Sequence, residues 1–216
     1  MTSTQTTRLD AAHFDAKARQ WDDNPVFRER GLKIAEAIRA SVPLSPRMRA
    51  LDYGCGTGLL SFPLKDELGA ILLADSSAGM LEVVAEKIAA QGATNMTPAK
   101  LDLLADPPPA GRFDLVYTSM TLHHVPDTDR ILRVFHDLLQ PGGYLCIADL
   151  DREDGSFHGI EVDVHHGFDR ADLARRAAGA GFAEVGFQTV FSIAKEHAGG
   201  TRDYPVFLMT ARREGA

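Results

Sequence analysis

The chain has little cysteine, no excess of positive charge and no long apolar run, and each shortage excludes a class of protein. Only two cysteines, Cys55 and Cys146, occur in 216 residues, so we expect neither a disulfide framework nor a cysteine-based zinc site. The formal net charge of −7 disfavours a nucleic-acid partner and an anionic membrane surface. No apolar run approaches the roughly 18 residues of a membrane span, and the polar N-terminus lacks the core of a signal peptide. We therefore expect a cytoplasmic protein. The sequence does not choose between a monomer and a homodimer.

What the chain does contain is typical of one α/β domain. It is 44% hydrophobic and 25% charged, and after residue 46 short apolar runs alternate with helical patterns. This alternation predicts a doubly wound, mostly parallel sheet. Strands are predicted at residues 49–53, 71–75, 96–102, 113–118 and 144–149, and helices at 58–68, 78–91, 129–139 and 169–180. Residues 183–192 and 206–212 have no helix between them, so they are predicted to pair antiparallel at one sheet edge.

The N-terminal residues 1–45 are predicted to be helical and to precede a domain made of residues 46–216. About the first ten residues are polar and are expected to be disordered. A helical pattern over residues 13–40 is broken at Asn24-Pro25. Phe14 and Trp21 are seven positions apart and therefore share one helix face. They either close over a bound ligand or simply pack the helix on the domain.

Three glycines in five positions, Gly54, Gly56 and Gly58, follow the first predicted strand. Glycine permits positive φ in a tight turn and lets the backbone approach a ligand closely. Ligands of open α/β sheets bind at this place, at the carboxyl ends of strands. The dinucleotide fingerprint would need a third glycine where Leu59 stands, and the carboxylate of Asp52 would repel a pyrophosphate. A ligand that carries a cation would instead be attracted.

Asp75 closes the second predicted strand, 21 positions beyond Gly54. An acid at about this spacing accepts hydrogen bonds from the hydroxyls of a ribose. Both NAD and S-adenosylmethionine carry that ribose, so Asp75 predicts a nucleoside ligand without choosing between them. The structural alternative for Asp75 is a helix cap, although Ser76 or Ser77 could cap the following helix instead.

Five segments in order resemble the motifs of class I S-adenosylmethionine-dependent methyltransferases. They are "LDYGCGTGLLS", "ADSSAGML", "AKLDLL", "FDLVYTSMTLHHVPD" and "LQPGGYLCIADLD". The resemblance covers residues 49–149 closely and the tail loosely. The "LHHV" version is similar to the small-molecule branch, which includes the ubiquinone/menaquinone-type methyltransferases. The resemblance implies a Rossmann-like, seven-stranded sheet whose last strand is antiparallel.

The resemblance also implies S-adenosylmethionine as cofactor and S-adenosylhomocysteine as its product. It implies that Asp102, beside Leu103, holds the adenine amine. Thr118, Ser119 and Met120 are expected to border the methionine moiety or the acceptor. The N-terminal "HFDAKARQWDDNP" is similar to the helix that lids the cofactor, so residues 1–45 are expected to form a helical lid. Arg30 either meets the cofactor carboxylate or is an exposed surface arginine. The expected cofactor-binding residues are Phe14, Trp21, Asp52, Gly54, Cys55, Gly56, Thr57, Gly58, Asp75, Ser76, Met80, Asp102, Leu103, Thr118, Ser119 and His123.

Histidines supply the candidate catalytic bases, because imidazole titrates near neutral pH. His123 and His124 follow the fourth predicted strand, where they are either a base or structural. Residues 150–168 are expected to form an insertion that faces the acceptor, which adds His165 or His166 as a base candidate. Adjacent histidines on a strand face opposite sides, and the segment shows no metal-ligand spacing. No metal site is therefore expected.

These patterns predict an S-adenosylmethionine-dependent enzyme that methylates an oxygen, nitrogen or carbon atom of a small molecule. Two alternatives stay open. One is a non-catalytic protein that binds S-adenosylmethionine or S-adenosylhomocysteine. The other is a nicotinamide-dependent oxidoreductase, although the chain shows no Tyr/Lys or Cys/His catalytic set. No motif identifies the acceptor.

Overall fold

The computed structural model describes residues 11–159 and 162–215, which are built around a seven-stranded sheet. Its strands are β1 (Arg49–Tyr53), β2 (Ala70–Asp75), β3 (Met96–Lys100), β4 (Phe113–Ser119), β5 (Leu139–Leu150), β6 (Phe182–His197) and β7 (Gly200–Arg213). The order across the sheet is β3-β2-β1-β4-β5-β7-β6, and β7 lies antiparallel between β5 and β6 while the first five strands pair in parallel. The predicted fold class and the terminal hairpin are confirmed.

The described α-helices are α1 (Ala11–Asp15), α2 (Pro25–Ser41), α3 (Ser61–Leu64), α4 (Ala78–Gln91), α5 (Thr128–Leu138) and α6 (Arg170–Gly179). Four of them begin at polar caps that are visible in the sequence. The side chains of Asn24, Ser77, Asp127 and Asp169 accept hydrogen bonds from backbone N–H groups of the first turns of α2, α4, α5 and α6. Among residues 11–159 and 162–215, no helix combines the length and apolar character needed to cross a membrane.

The helix predicted at residues 58–68 is wrong at its start. α3 begins only at Ser61, is four residues long, and is followed by the 3-10 turn Lys65–Glu67. Gly54, Gly56 and Gly58 have φ values of 69°, 54° and 80°, which a right-handed helix cannot contain. The glycine loop therefore runs on to residue 60, and the helix N-terminus lies further along the chain than expected.

The N-terminal segment breaks before Pro25, as predicted, but it is not one helix ahead of that break. α1 ends at Asp15, and the 3-10 helix Ala18–Asp23 follows. Phe14 and Trp21 thus lie on two elements rather than on one helix face. Their rings nevertheless meet edge to face, with centroids 6.1 Å apart. The expected disorder of the first ten residues falls outside the described residues.

Two apolar cores cover the two faces of the sheet, because side chains alternate along each strand. On β4, Leu115 and Tyr117 join the core that contains α2, α3 and α4, whereas Val116 joins the one that contains α5 and α6. A parallel sheet needs both faces covered in this way. The carboxyl ends of the strands remain as the edge at which a ligand can enter.

Candidate functional site

A cavity of about 490 Å³ opens at the carboxyl ends of β1, β2 and β4 and is bordered by the N-terminal helices. Its volume is within the range of small-molecule sites. The strand order reverses at β1 and β4, which is where open α/β sheets bind their ligands. The residues of the lining that the sequence predicts are Phe14, Trp21, Asp52, Gly54, Cys55, Gly56, Thr57, Asp75, Ser76, Met80, Asp102, Ser119 and His124.

Two of the three loop glycines are required by the protein's own packing. A Cβ on Gly54 would collide with the side chain of Thr121, and one on Gly58 would come within 2.9 Å of the Val84 side chain. Gly58 is not part of the cavity lining, so its predicted contact with the cofactor is not supported. The absence of a side chain at Gly58 lets the glycine loop pack on α4.

Gly56 is different, because the space beside it is open. A Cβ there would meet only Met80 Sδ, at 3.9 Å, and Gly56 borders the cavity. Its N–H donates to Asp75 Oδ2 over 2.8 Å, and the N–H of Ser77 donates to Asp75 Oδ1 over 2.9 Å. The missing side chain therefore leaves room for a ligand next to a fixed carboxylate.

Asp75 does not cap α4; Ser77 does so by accepting a hydrogen bond from the N–H of Met80. Burial raises the pKa of Asp75, and the hydrogen bonds from Ser77 and Gly56 oppose that rise. Asp75 is thus available to a ligand at the end of β2, as the spacing from the glycines predicts.

Asp52 lies beneath the loop and is 1% exposed. Its Oδ2 accepts a hydrogen bond from Ser61 Oγ over 2.6 Å, and Ser61 Oγ lies 2.5 Å from the hydroxyl of Tyr117. Burial raises the pKa of Asp52 to about 7, against the opposing effect of the Ser61 hydrogen bond. A cation in the cavity would favour the ionised carboxylate.

Asp102 reaches the cavity, but Leu103 does not. Asp102 Oδ1 accepts a hydrogen bond from the N–H of Leu104 over 2.9 Å, which forms a tight turn directly after β3. Because of this turn, Leu101 and Leu104 border the cavity while the side chain of Leu103 is buried in the core. Leu103 does not line the cavity, and its predicted contact with the cofactor stays a prediction.

Thr118 is likewise buried outside the cavity, since it still belongs to β4. The cavity wall is formed instead by Ser119, Met120 and Thr121, where the chain leaves the strand. Met120 has a φ of 55°, a left-handed conformation that is rare for residues other than glycine. Such conformations often occur at functional sites.

The histidine that borders the cavity is His124. Its ring contacts Phe14 edge to face, with centroids 5.4 Å apart. Burial lowers the pKa of His124 to about 2, and the nearby His123 and His158 act in the same direction. His124 is therefore neutral at physiological pH.

His123 and His165 do not line the cavity. His123 is 1% exposed, and its Nδ1 lies 2.7 Å from Asp149 Oδ1. His165 Nε2 lies 3.0 Å from the carbonyl oxygen of Val125, so His165 supports the loop after β4 instead of facing an acceptor. His166 is exposed and also lies outside the lining. Of the base candidates, only His124 borders the cavity.

Arg30 is not an exposed surface arginine, which was one of the two alternatives that the sequence left open. It is 8% exposed and forms part of the cavity wall. Burial lowers the pKa of Arg30 to about 10, with the charge of Asp149 opposing the change. The signal was present in the sequence, because Arg30, Ile34 and Ile38 are spaced to share the buried face of α2.

Comparisons with known proteins decide the family. A model described as a methyltransferase domain matches residues 50–143. Two ubiquinone biosynthesis O-methyltransferases are each 34% identical to the chain. The protein from Caulobacter vibrioides aligns over 66% of this chain and 63% of its own length, and that from Brucella ovis over 70% and 68%. This chain belongs to the class I S-adenosylmethionine-dependent methyltransferases. The methyltransferase spans slightly less than two thirds of the Caulobacter relative.

The fold of the methyltransferase also occurs among solved structures. Phosphoethanolamine N-methyltransferase 2 of Haemonchus contortus, in complex with S-adenosyl-L-methionine, matches with a TM-score of 0.74 at 16% identity. The match covers 99% of this chain and 60% of that one, and at this identity it establishes the fold alone. S-adenosylmethionine is the cofactor of the family, so the nicotinamide-dependent alternative is set aside.

Proposed function

We propose that this methyltransferase moves the methyl group of S-adenosylmethionine to an oxygen, nitrogen or carbon atom of a small molecule. We consider oxygen the first acceptor atom to test, because the two ubiquinone biosynthesis relatives, each 34% identical, are named as O-methyltransferases. The observation that carries the proposal is the open position at Gly56 beside Asp75. A net charge of −7 supports a small-molecule acceptor over a nucleic acid.

The cavity wall offers a chemical match to each part of the cofactor. Asp75 and Asp102 supply acceptor oxygens, for the ribose hydroxyls and the adenine amine respectively. Arg30 supplies a buried cation that suits the carboxylate of the methionine moiety. Asp52, which titrates near pH 7, suits the cationic groups of that moiety. We assign cofactor binding to these four residues and to the loop at Gly56.

Residues 11–45 are proposed as the lid of this site. Phe14 and Trp21 border the cavity, where their rings could attract a sulfonium through a cation–π contact. A lid also excludes water, which strengthens electrostatic interactions inside the cavity. The insertion at residues 150–168 is proposed to face the acceptor through its described part.

The bound cofactor supplies an electrophilic methyl group, and the protein mainly has to orient the acceptor against it. Orientation of two reactants contributes about 7–11 kcal/mol to lowering a barrier. His124 borders the cavity in its neutral form, but a pKa of about 2 makes it a weak base. We therefore assign His124 chiefly to positioning the acceptor, in a site that favours acceptors which ionise readily.

Isothermal calorimetry tests the cofactor assignment. Wild-type protein is expected to bind S-adenosylmethionine and S-adenosylhomocysteine but not NAD. Gly56→Val should abolish this binding while circular dichroism shows a retained fold, because its side chain would enter the cavity. Asp75→Ala should weaken binding by roughly 1.5–3 kcal/mol, the range of hydrogen bonds to charged groups.

Gly92→Val is the matched control for the glycine variant. Gly92 also has a positive φ, of 61°, and a Cβ there would meet nothing within 4 Å, but it caps α4 away from the cavity. The Gly92→Val variant should bind S-adenosylmethionine as the wild type does. Normal binding by both Gly56→Val and Asp75→Ala would place the cofactor elsewhere. Cofactor binding without turnover on phenols, amines or carbon nucleophiles would favour the non-catalytic alternative.

A further inference from the structure

Three histidines meet beside the cavity although the chain separates them. One ring nitrogen from each of His123, His124 and His158 lies within 4.8 Å of the other two, and these residues are called the histidine cluster below. His123 Nε2 and His158 Nε2 are 3.1 Å apart. Two nitrogen ligands of a tetrahedral zinc ion lie about 3.3 Å apart, given zinc–nitrogen bonds of about 2.0–2.1 Å. The spacing of this pair is close to that of two zinc ligands, and the ligand nitrogen of His124 lies within 4.8 Å of both.

The cluster contains a polar atom that lacks a partner. His124 Nδ1 is buried and has no hydrogen-bond partner within the part of the chain that the structure describes. A buried polar atom without a partner is unfavourable. A bound metal ion would give this nitrogen a partner, because metal ligands are neutral imidazole nitrogens.

Asp149 fixes the orientation of His123 within the histidine cluster. Its Oδ1 lies 2.7 Å from His123 Nδ1, and its two oxygens also accept hydrogen bonds from the N–H groups of Leu150 and His123. A carboxylate in this position keeps the imidazole proton on Nδ1 and leaves the lone pair of His123 Nε2 facing His158. Metal-binding histidines are commonly oriented by a carboxylate in the same way.

We propose that the histidine cluster binds one divalent transition-metal ion of the zinc type. Imidazole ligands favour zinc and its neighbours, whereas magnesium and calcium prefer oxygen ligands. Three protein ligands with a fourth position left for water or substrate are typical of catalytic zinc sites. Because His124 borders the cavity, the ion lies at the cavity wall, where it can polarise an acceptor oxygen. That last role rests on the proposed function; metal binding itself does not.

This proposal differs from the sequence expectation of no metal site. The sequence shows no ligand spacing because His123 and His158 are 35 residues apart and come from the ends of two neighbouring strands. The competing explanation is a metal-free hydrogen-bond chain, in which His158 donates to His123 and His123 donates to Asp149.

Metal titration of the full-length, chelator-treated protein distinguishes the two explanations. We expect one Zn²⁺ per chain by calorimetry, and Co²⁺ should give visible d–d absorption that Zn²⁺ abolishes. His158→Asn changes the least buried ligand and should weaken Zn²⁺ binding by at least tenfold. Asp149→Asn should weaken it by about 10–100-fold, the range for orienting carboxylates. His166→Asn, exposed in the same segment and outside the cavity, should bind Zn²⁺ as the wild type does.

Titration of the same variants with S-adenosylhomocysteine separates this proposal from the proposed function. His158→Asn with lost Zn²⁺ binding and retained S-adenosylhomocysteine binding supports the metal site and shows that the fold is intact. Stoichiometric Zn²⁺ binding by a protein that binds no cofactor would remove the proposed function and leave the metal site. Absence of stoichiometric Zn²⁺ binding in the wild type, or equal affinity in His158→Asn, overturns the metal site in favour of the hydrogen-bond chain.

Discussion

Single residues in the cavity wall hold charges that the protein's interior does not fully balance. Asp52 and Arg30 are 1% and 8% exposed. Burial raises the pKa of Asp52 and lowers the pKa of Arg30, so in both cases it favours the uncharged form. Removing a charge from water is unfavourable unless the charge is paired. A ligand that carries both a cation and a carboxylate would supply the missing partners. The two residues therefore link stability and binding at one site.

Asp52→Asn tests the effect of one of these charges on stability. The pKa of Asp52 rises from 3.8 to about 7 on folding, so between these values the folded protein binds a proton that the unfolded chain has released. The contribution of Asp52 to the free energy of unfolding is full below about pH 4 and is lost as the pH rises to about 7, by up to about 1.4 kcal/mol per pH unit. The Asp52→Asn variant does not lose this stability as the pH rises, because the asparagine side chain does not titrate.

Urea unfolding at a series of pH values measures this difference. Relative to the wild type, Asp52→Asn should gain stability steadily as the pH rises from about 4 to about 7. Asp66→Asn is the control, since the Asp66 side chain is 85% exposed. A stability difference between wild type and Asp52→Asn that does not change with pH would show that the pKa of Asp52 is not raised by burial.

Among the elements, residues 11–23 ahead of α2 are attached by side chains and not by sheet pairing. Asp22 accepts hydrogen bonds from Thr57 Oγ1 over 2.5 Å and from Lys87 Nζ over 2.6 Å. Asp15 accepts from Ser77 Oγ over 2.6 Å. These bonds tie the segment to the glycine loop and to α4. A segment held by a few such bonds can open without disturbing the sheet.

Asp22→Ala should therefore loosen the lid selectively. We expect faster amide hydrogen exchange at residues 18–23 and a weaker affinity for S-adenosylmethionine, each by about 1–2 kcal/mol, because two hydrogen bonds that involve a charged group are lost. Exchange measured by mass spectrometry and calorimetry give the two values. Asp23→Ala is the matched control, as the neighbouring Asp23 is exposed. Equal behaviour of the two variants would show that Asp22 does not anchor the lid.

At the scale of the whole molecule, the sheet separates two apolar cores, and the cavity opens at the carboxyl ends of its strands. Neighbouring residues of the central strands belong to opposite cores, as Ala50 and Leu51 do on β1. The loops that form the cavity thus extend from the most deeply buried strands. A site supported by rigid elements is positioned more accurately than one built on loops alone.

Leu51→Ala should lower the free energy of unfolding by about 2–5 kcal/mol, because it leaves a void at a position with 0% exposure. Leu32→Ala removes the same atoms from a residue that is 51% exposed and should change stability by less than about 0.5 kcal/mol. Urea denaturation of both variants measures the effects. Similar values for the two would contradict the placement of Leu51 in the core.

Much of the fold was predictable because its signals are local. The bounds of α4 follow from a cap at Ser77 and a left-handed glycine at Gly92, and the terminal hairpin follows from the absence of a helix between two strands. The start of α3 was not predictable in the same way. Three alternating glycines with positive φ lengthen the loop, and two of them, Gly54 and Gly58, pack closely against Thr121 and Val84, which are distant in sequence.

The sequence by itself determined the sheet, the glycine loop and the carboxylate of Asp75, because spacing over a few residues carries those features. Only the tertiary structure decided that Arg30 is buried and that Gly58, Leu103 and Thr118 lie outside the cavity. It also decided that the histidine cluster forms. The physical reason is the same in each case: which side chains meet depends on contacts between elements that are distant along the chain.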